Sequence, residues 1–560
     1  MRLIWQGLFG LSAVLLVSAC GSSGGALEQP DQSLPPLDVP VYRAFDEYDH
    51  SQRLRVDGAK IVDGAGQEHT LRGVAFGNEI WSNPNAPTQH HDERDYVRLK
   101  EMGLNSIRFY LNYQLFERDS QPYVYRQAGW DWLDKNLEWA EKHGIYLVLN
   151  MHAPQGGYQS NGAGDALWEV RSNQQRLTRL WQAIAMRYRG HPNIAAFDLL
   201  NEPRPTRSNS QWQQLANEIV AAIREVNPEH IVSVERILGT QISWEVDEQQ
   251  NFFRLDDLNI LYQYHFYEPM ALTHQQADWL DGYSAAREYP DPYRYEIVGN
   301  SRWIGGTFGN PTLAQDHSEW QQMEGEIWWA NDLEVEVLYP VLAAKAVSGY
   351  VEFADAVVLE YAPGSSRGNV LMEVDLSNQE NWYFWSQNGS GSGRVYQESG
   401  LAVRRAEGTT AGADWTSRSQ LIVPKPGYGY QISGLMRGQG LAGSTSRLRL
   451  DFLGDVDQVL AWDRPLLEAK IELIESWARA QGVPLYLGEF GCIRHCFEDD
   501  QGGERWVEDM LDILEQRGTH FNYHAYHEYN FGIYHNGEGL PSDDSVNQAL
   551  VELFQSRFVD

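Results

Sequence analysis

From about residue 54 the segment LRVDGAKIVDGAGQEHTLRG alternates apolar and polar residues around Asp-Gly and Gly-Gln turns, the grammar of a β-hairpin. Beyond it, short apolar runs alternate with longer stretches of helical spacing. The runs predict strands over 71–76, 106–111, 145–151, 194–200, 231–234, 260–264, 485–487 and 521–523, and helical periodicity marks 130–143, 175–188, 211–225 and 466–479. Eight strands alternating with helices predict an α/β fold of the (β/α)8 TIM-barrel kind. A doubly wound open sheet is the rival.

The rhythm breaks once. Roughly 220 residues separate the sixth and seventh runs, whereas a βα crossover needs about 30. Within 316–458 the strings VSGYVEFADAVVLEY, GLAVRRAE, YGYQISGLMRG and SRLRLDFLG show period-two alternation among Gly/Ser turns, with no helical stretch between them. That predicts a jelly-roll-like β-sandwich inserted between strands six and seven, so that 41–315 and 459–560 are two parts of one barrel.

Composition narrows the function classes. The chain has 560 residues, 44 Lys+Arg against 77 Asp+Glu, and a formal charge of −33. A surface that acidic repels phosphates, and no basic stripe interrupts it, so nucleic acid is excluded as a partner. With 42% hydrophobic residues the chain can build a large core, and the 20 Trp and 29 Tyr suit a neutral partner with apolar faces.

The amino terminus reads as an address. Arg2 precedes an apolar run over 3–17, and small residues lead to Cys20, the pattern of a bacterial secretory signal over 1–20 that resembles a lipoprotein signal. The run is shorter than the ~20 residues of a spanning helix. Lipid on Cys20 would anchor the chain to a membrane, and Gly21 in place of Asp resembles sorting to the Gram-negative outer membrane. Residues 21–40, GSSGGALEQPDQSLPPLDVP, form a flexible tether. The remaining thiols, Cys492 and Cys496, form an even pair outside the cytosol, where a disulfide is expected; so few thiols do not suggest zinc.

In a barrel the chemistry gathers at the carboxyl ends of the strands. Here those ends are polar or aromatic: Arg108 on the second; Asn150-Met151-His152 on the third; Asn201-Glu202-Pro203 on the fourth; His265-Phe266-Tyr267 on the sixth; Glu489 on the seventh; Tyr523-His524-Ala525-Tyr526 on the eighth. Glu202 and Glu489 decide the reading. Strands four and seven face each other across the mouth, and two opposed carboxyls are what cleavage of a glycosidic bond needs.

The ordered strings LRGVAFG, GLNSIRFY, YLVLNMH, FDLLNEPRP, YHFYEP and YLGEFG closely resemble glycoside hydrolase family 5 over 54–315 and 459–536. The resemblance implies a retaining enzyme, with Glu202 as acid/base and Glu489 as nucleophile, carboxyls ~5–5.5 Å apart. It implies that Asn201 binds the sugar 2-hydroxyl, that Arg108 keeps Glu489 ionised, and that His152, His265 and Tyr267 support the carboxylates or the sugar. No metal or organic cofactor is implied. The implied substrate is a β-linked polysaccharide or oligosaccharide, most simply a cellulose-like or mixed-linkage β-glucan, with mannan, xylan or exo-acting β-glucosidase activity as alternatives in the same class. From another class, the chain could be a catalytically silent glycan-binding lipoprotein.

The eighth strand departs from the family, which places a Trp there as a sugar platform. In FNYHAYHEYNFG, Tyr523, His524 or Tyr526 must take its place. Trp81, Trp168, Trp244 and Trp279 follow strand ends and are candidate sugar platforms, with ordinary loop packing as the alternative. The strings GYVEFADAVVLEY and YQISGLMRGQG loosely resemble carbohydrate-binding modules, so the insertion is expected either to bind carbohydrate or to shape the cleft.

Overall fold

The computed structural model describes residues 35–559 apart from 86, 239–250, 281–282, 333, 378–381 and 418. Cys20, the signal over 1–20 and Trp244 therefore lie outside the described residues. Among those described, no helix is long and apolar enough to cross a membrane.

Eight parallel strands close into a barrel: β1 (Arg72–Phe76), β2 (Ser106–Asn112), β3 (Tyr146–Ala153), β4 (Ile194–Asp198), β5 (Ile231–Glu235), β6 (Ile260–His265), β7 (Leu485–Phe490) and β8 (His520–Tyr523). Each predicted run lies on one of them. Buried on both faces, they read as near-continuous apolar strings whose rare polar residues point into the lumen.

Helices α1 (Glu93–Glu101), α2 (Gln127–His143), α3 (Arg171–Arg187) and α4 (Asn209–Val226) follow the first four strands. α5 (Arg464–Gln481) precedes β7, α6 (Gly503–Arg517) precedes β8, and α7 (Gln548–Phe558) ends the chain. The sequence signals act locally. α2 stops where Gly144 takes φ 64°, and α5 where Gly482 takes φ 65°, left-handed positions that glycine tolerates without a Cβ clash. α4 starts at a capping box between Ser208 and Gln211.

The predicted hairpin pairs Arg55–Asp57 with Lys60–Val62 and plugs the amino-terminal mouth. Leu54 and Ile61 pack there with Tyr146, Ile231, Leu261 and Tyr486, residues at the starts of four strands. With the bottom sealed, the open end is the one that carries the polar strand ends.

Between β6 and α5 stands the long insertion, rooted at the carboxyl end of a barrel strand. Its stalk pairs Asp291–Val298 antiparallel with Gln458–Trp462, and Lys470 of α5 ties Glu296 of that stalk to Glu268 beyond β6. Above the stalk a five-stranded sheet, ordered Arg302–Gly306, Arg447–Gly454, Val337–Ala344, Ala413–Ser417, Trp382–Ser386, faces a seven-stranded sheet built around Tyr350–Tyr361 and Gly429–Gln439. Leu338, Leu342, Leu448 and Trp415 of the first sheet meet Phe353, Ile432 and Met436 of the second in one core. This is a β-sandwich.

Candidate active site

The site begins with a charge sealed inside the lumen. Arg108, fully buried on β2, donates from Nε to Asp198 at 2.8 Å, from Nη1 to Glu489 at 2.6 Å and from Nη2 to Asn201 at 3.0 Å. Burial acts against this cation, yet Asp198, Tyr110, Glu489 and Glu235 together hold its pKa well above the usual value. One planar fork thus aims the ends of β4 and β7 at a common point.

Glu489, at the end of β7, is nearly enclosed. Its Oε1 accepts from Arg108 and from the Tyr110 hydroxyl at 2.6 Å, and its Oε2 accepts from the Tyr267 hydroxyl at 2.8 Å. Burial alone would raise its pKa; His265, His524, Arg108 and His152 outweigh burial and bring it well below the usual range. Glu489 is therefore an anion without a proton to give. Both tyrosines are held fully protonated, chiefly by burial, and serve as donors.

Glu202 follows β4 with φ 45°, a left-handed conformation uncommon outside glycine. Its backbone N–H donates to Oε2 of Glu235, 2.9 Å away at the end of β5, and that buried carboxylate pins the turn. The side chain is mostly enclosed, 14% exposed, and Nδ1 of His265 lies 2.9 Å from Glu202 Oε1 and 3.5 Å from Glu489 Oε2. Glu202, His265 and Glu489 each offer a donor atom within 4.8 Å of the other two. Among the described residues this is the one carboxylate and imidazole set tight enough for an ion. So close an approach leaves no room for a water between the two carboxyls, as a retaining pair requires.

His265 is buried among three carboxyls. Desolvation opposes its charge, but Glu235, Glu489 and Glu202 surround it and raise its pKa. Glu235 has the opposite problem: burial pushes its carboxyl up to about 8, against the pull of His265 and Arg108. The neighbouring His152 is desolvated and held neutral. Its Nδ1 pairs with Asn150 Oδ1 at 2.9 Å, and Asn150 is fixed in turn by Asp198.

One wall is a column of rings. Tyr158 stacks on His152 at 5.5 Å, His152 on Tyr110 at 3.9 Å, and Tyr110 lies parallel to His524 at 6.1 Å. Trp81 stands edge-on to His152 and Tyr158 and is 54% exposed, and Trp279, across the mouth near Phe531, is 49% exposed; both remain available to a sugar face.

The family profile described as Cellulase (glycosyl hydrolase family 5) matches residues 62–337. Endoglucanase C of Acetivibrio thermocellus is 31% identical over 241 residues, covering 41% of this chain and 68% of that one. The chain belongs to glycosyl hydrolase family 5. A β-xylosidase of Phanerodontia chrysosporium is 31% identical over 220 residues, covering 32% and 46%. Among solved structures, endoglucanase Cel5A of Thermotoga maritima superposes with TM-score 0.47 at 15% identity over 86% of this chain and 96% of that one. As a family 5 glycoside hydrolase, this protein carries its carboxylate pair at the ends of strands four and seven.

Several expected site residues are placed elsewhere. Of the three candidates on β8, His524 reaches the cleft, its Nδ1 3.0 Å from the Tyr110 hydroxyl. Tyr523 points outward, packed on Phe490 and Phe554, and Tyr526 is buried with its hydroxyl on Asp95 at 2.6 Å. Trp168 is a buried support rather than a platform, with its indole N–H on Gln159 at 2.7 Å and its ring against Trp212. Cys492 and Cys496, for which a disulfide is expected, stand in this structure as neighbouring buried thiols. The Cys496 thiol donates to the Leu272 carbonyl at 3.2 Å, and burial raises the Cys492 pKa, which disfavours the thiolate that oxidation requires.

Tyr110, Asp198, Glu235 and Tyr158 were not anticipated. Tyr110 had a usable signal, since it lies two residues after Arg108 on one strand and so shares its face. Glu235 closes an apolar run directly, where a charged residue at a barrel rim merits the same attention as Glu202.

Proposed function

We propose that this family 5 enzyme is a retaining hydrolase of β-glucans that works by double displacement. The observation that carries the reading is the contrast within the carboxyl pair: Glu489 accepts from three donors, Arg108, Tyr110 and Tyr267, which favour its anion, while the Glu202 side chain pairs with a single imidazole. Glu489 attacks the anomeric carbon and forms a glycosyl ester as Glu202 gives its proton to the leaving oxygen. Water then enters, Glu202 takes its proton, and the ester is cleaved with the configuration retained. His265, 2.9 Å from Glu202 and 3.5 Å from Glu489, holds the two carboxyls in position, and Asn201, its carbonyl held by Arg108, turns its amide toward the sugar. No step calls for a cofactor.

A β-glucan is favoured by the endoglucanase relatives and by the exposed rings of Trp81 and Trp279 beside the carboxyl pair. Further parts of the proposal are a lipid anchor at Cys20, an outer-membrane location, and carbohydrate binding by the inserted sandwich. Incubation with barley β-glucan, cellulose, mannan and xylan, with product lengths recorded, tests the substrate. Release of short oligosaccharides from the first two at rates at least tenfold above the others is expected, and preference for mannan or xylan would reassign the specificity.

A further inference from the structure

The outer face of the five-stranded sheet has two unlike halves. Val337, Tyr339 and Val341 are covered by Tyr295, Ile297 and Val459 of the stalk, which form a closed apolar cluster. The other half is open and carries large rings. Tyr383 and Trp385, two residues apart on the edge strand and hence on one face, are each 47% exposed. Their cross-strand partners are Thr416 and Asp414, so the rings sit beside a hydroxyl and a carboxylate.

The polar floor continues inward. Arg449 spans Asp414, at 3.0 and 3.2 Å, and Asp451, at 3.0 Å, which fixes its guanidinium flat against the sheet. Beyond it stand Phe308, with the Arg449 guanidinium 5.2 Å from its ring centre, and Trp303, whose indole N–H is held by Asp451 at 3.0 Å. Both rings are about half exposed. Exposed rings therefore stand at both edges of the sheet, Tyr383 and Trp385 on one side and Phe308 and Trp303 on the other, with the side chains between them largely covered: Asp414 is 26% exposed, Arg449 12% and Asp451 5%.

Core packing does not account for this arrangement, because the same sheet buries Leu338, Leu342 and Trp415 on its other side. A protein partner would favour a contiguous apolar patch, whereas this face alternates rings with fixed donors and acceptors. A sugar polymer offers the complement: apolar C–H faces to lie on the rings and hydroxyl edges to meet Asp414 and Thr416, which flank Trp385 and Tyr383. We propose that this face is a second glycan-binding site, in which one β-linked polysaccharide chain lies across Tyr383 and Trp385 toward Phe308 and Trp303. It deepens the reading of the sandwich as carbohydrate-binding and rests on the β-glucanase reading only for the identity of the polymer.

The test uses the full chain in a Glu489→Ala background, so that polymer survives. Retention on hydroxyethylcellulose and barley β-glucan in affinity gels is compared with and without Tyr383→Ala and Trp385→Ala, and hydrolysis of an aryl β-cellobioside by the otherwise native double variant controls for folding. The proposal expects retention about tenfold weaker with the short-substrate rate unchanged. Unchanged retention, or retention on neither polymer, overturns it. Loss of a dimer in sedimentation, without loss of retention, would assign the face to a second copy and also overturn it. If the native enzyme cleaves no β-glucan while retention still falls tenfold, the substrate reading fails and the binding face stands.

Discussion

At the scale of single residues, the two carboxyls differ because their neighbours differ. Glu489→Ala removes the attacking group and should lower kcat/KM by about 10⁴ or more, with the fold intact by circular dichroism. Glu202→Ala should lower it by about 10²–10⁴ on glucan but much less on an aryl glycoside that leaves without a proton, and azide should restore turnover. The Glu202→Ala product should be the β-glycosyl azide and any Glu489→Ala product the α-glycosyl azide; the reverse pairing would exchange the two roles. Tyr110→Phe deletes one of three donors on Glu489 and should cost about tenfold in kcat/KM, read from initial rates; an unchanged value would leave Tyr110 a packing residue.

Elements carried most of the legible information. Strand runs are apolar on both faces in a closed barrel, so the predicted runs and the strands coincide, and Asn201, Glu202 and Glu489 could be placed at the rim from register alone. What could not be read depends on where a side chain turns after its strand ends. Tyr523, His524 and Tyr526 lie within four residues, yet α7 captures Tyr523, Asp95 holds Tyr526, and only His524 faces Tyr110. Trp168 belongs to a loop whose own Gln159 claims its N–H, a contact with no sequence periodicity. The hairpin plug is an independent element with its own test: Leu54→Ala should destabilise the enzyme by about 2–5 kcal/mol in urea unfolding while leaving kcat of the folded protein within twofold. A loss of kcat without a loss of stability would contradict the plug.

For the whole molecule, pH couples the site to the fold. Glu235 titrates near 8 when folded and near ~4.3 when unfolded, so across that window the folded chain holds a proton that the unfolded chain has released, and stability falls as pH rises. His265, its folded pKa raised, adds to this loss as pH climbs from ~6.5 through that raised value. Glu489 acts oppositely: its depressed pKa supplies stability above ~4.3 that is lost as pH falls through the folded value. Thermal melts should therefore peak at mildly acidic pH and decline toward pH 8, and Glu235→Gln should flatten the decline. An unaltered slope in that variant would remove Glu235 from the account.

The charge of −33 spreads over a molecule whose chemistry depends on one buried carboxylate. Its role can be read directly by mass spectrometry after incubation with a 2-deoxy-2-fluoro-β-cellobioside bearing an activated leaving group, which slows hydrolysis of the glycosyl ester. The account predicts one added fluorocellobiosyl group on the peptide that contains Glu489; a label on the Glu202 peptide, or turnover with no label and an inverted first product, would contradict it.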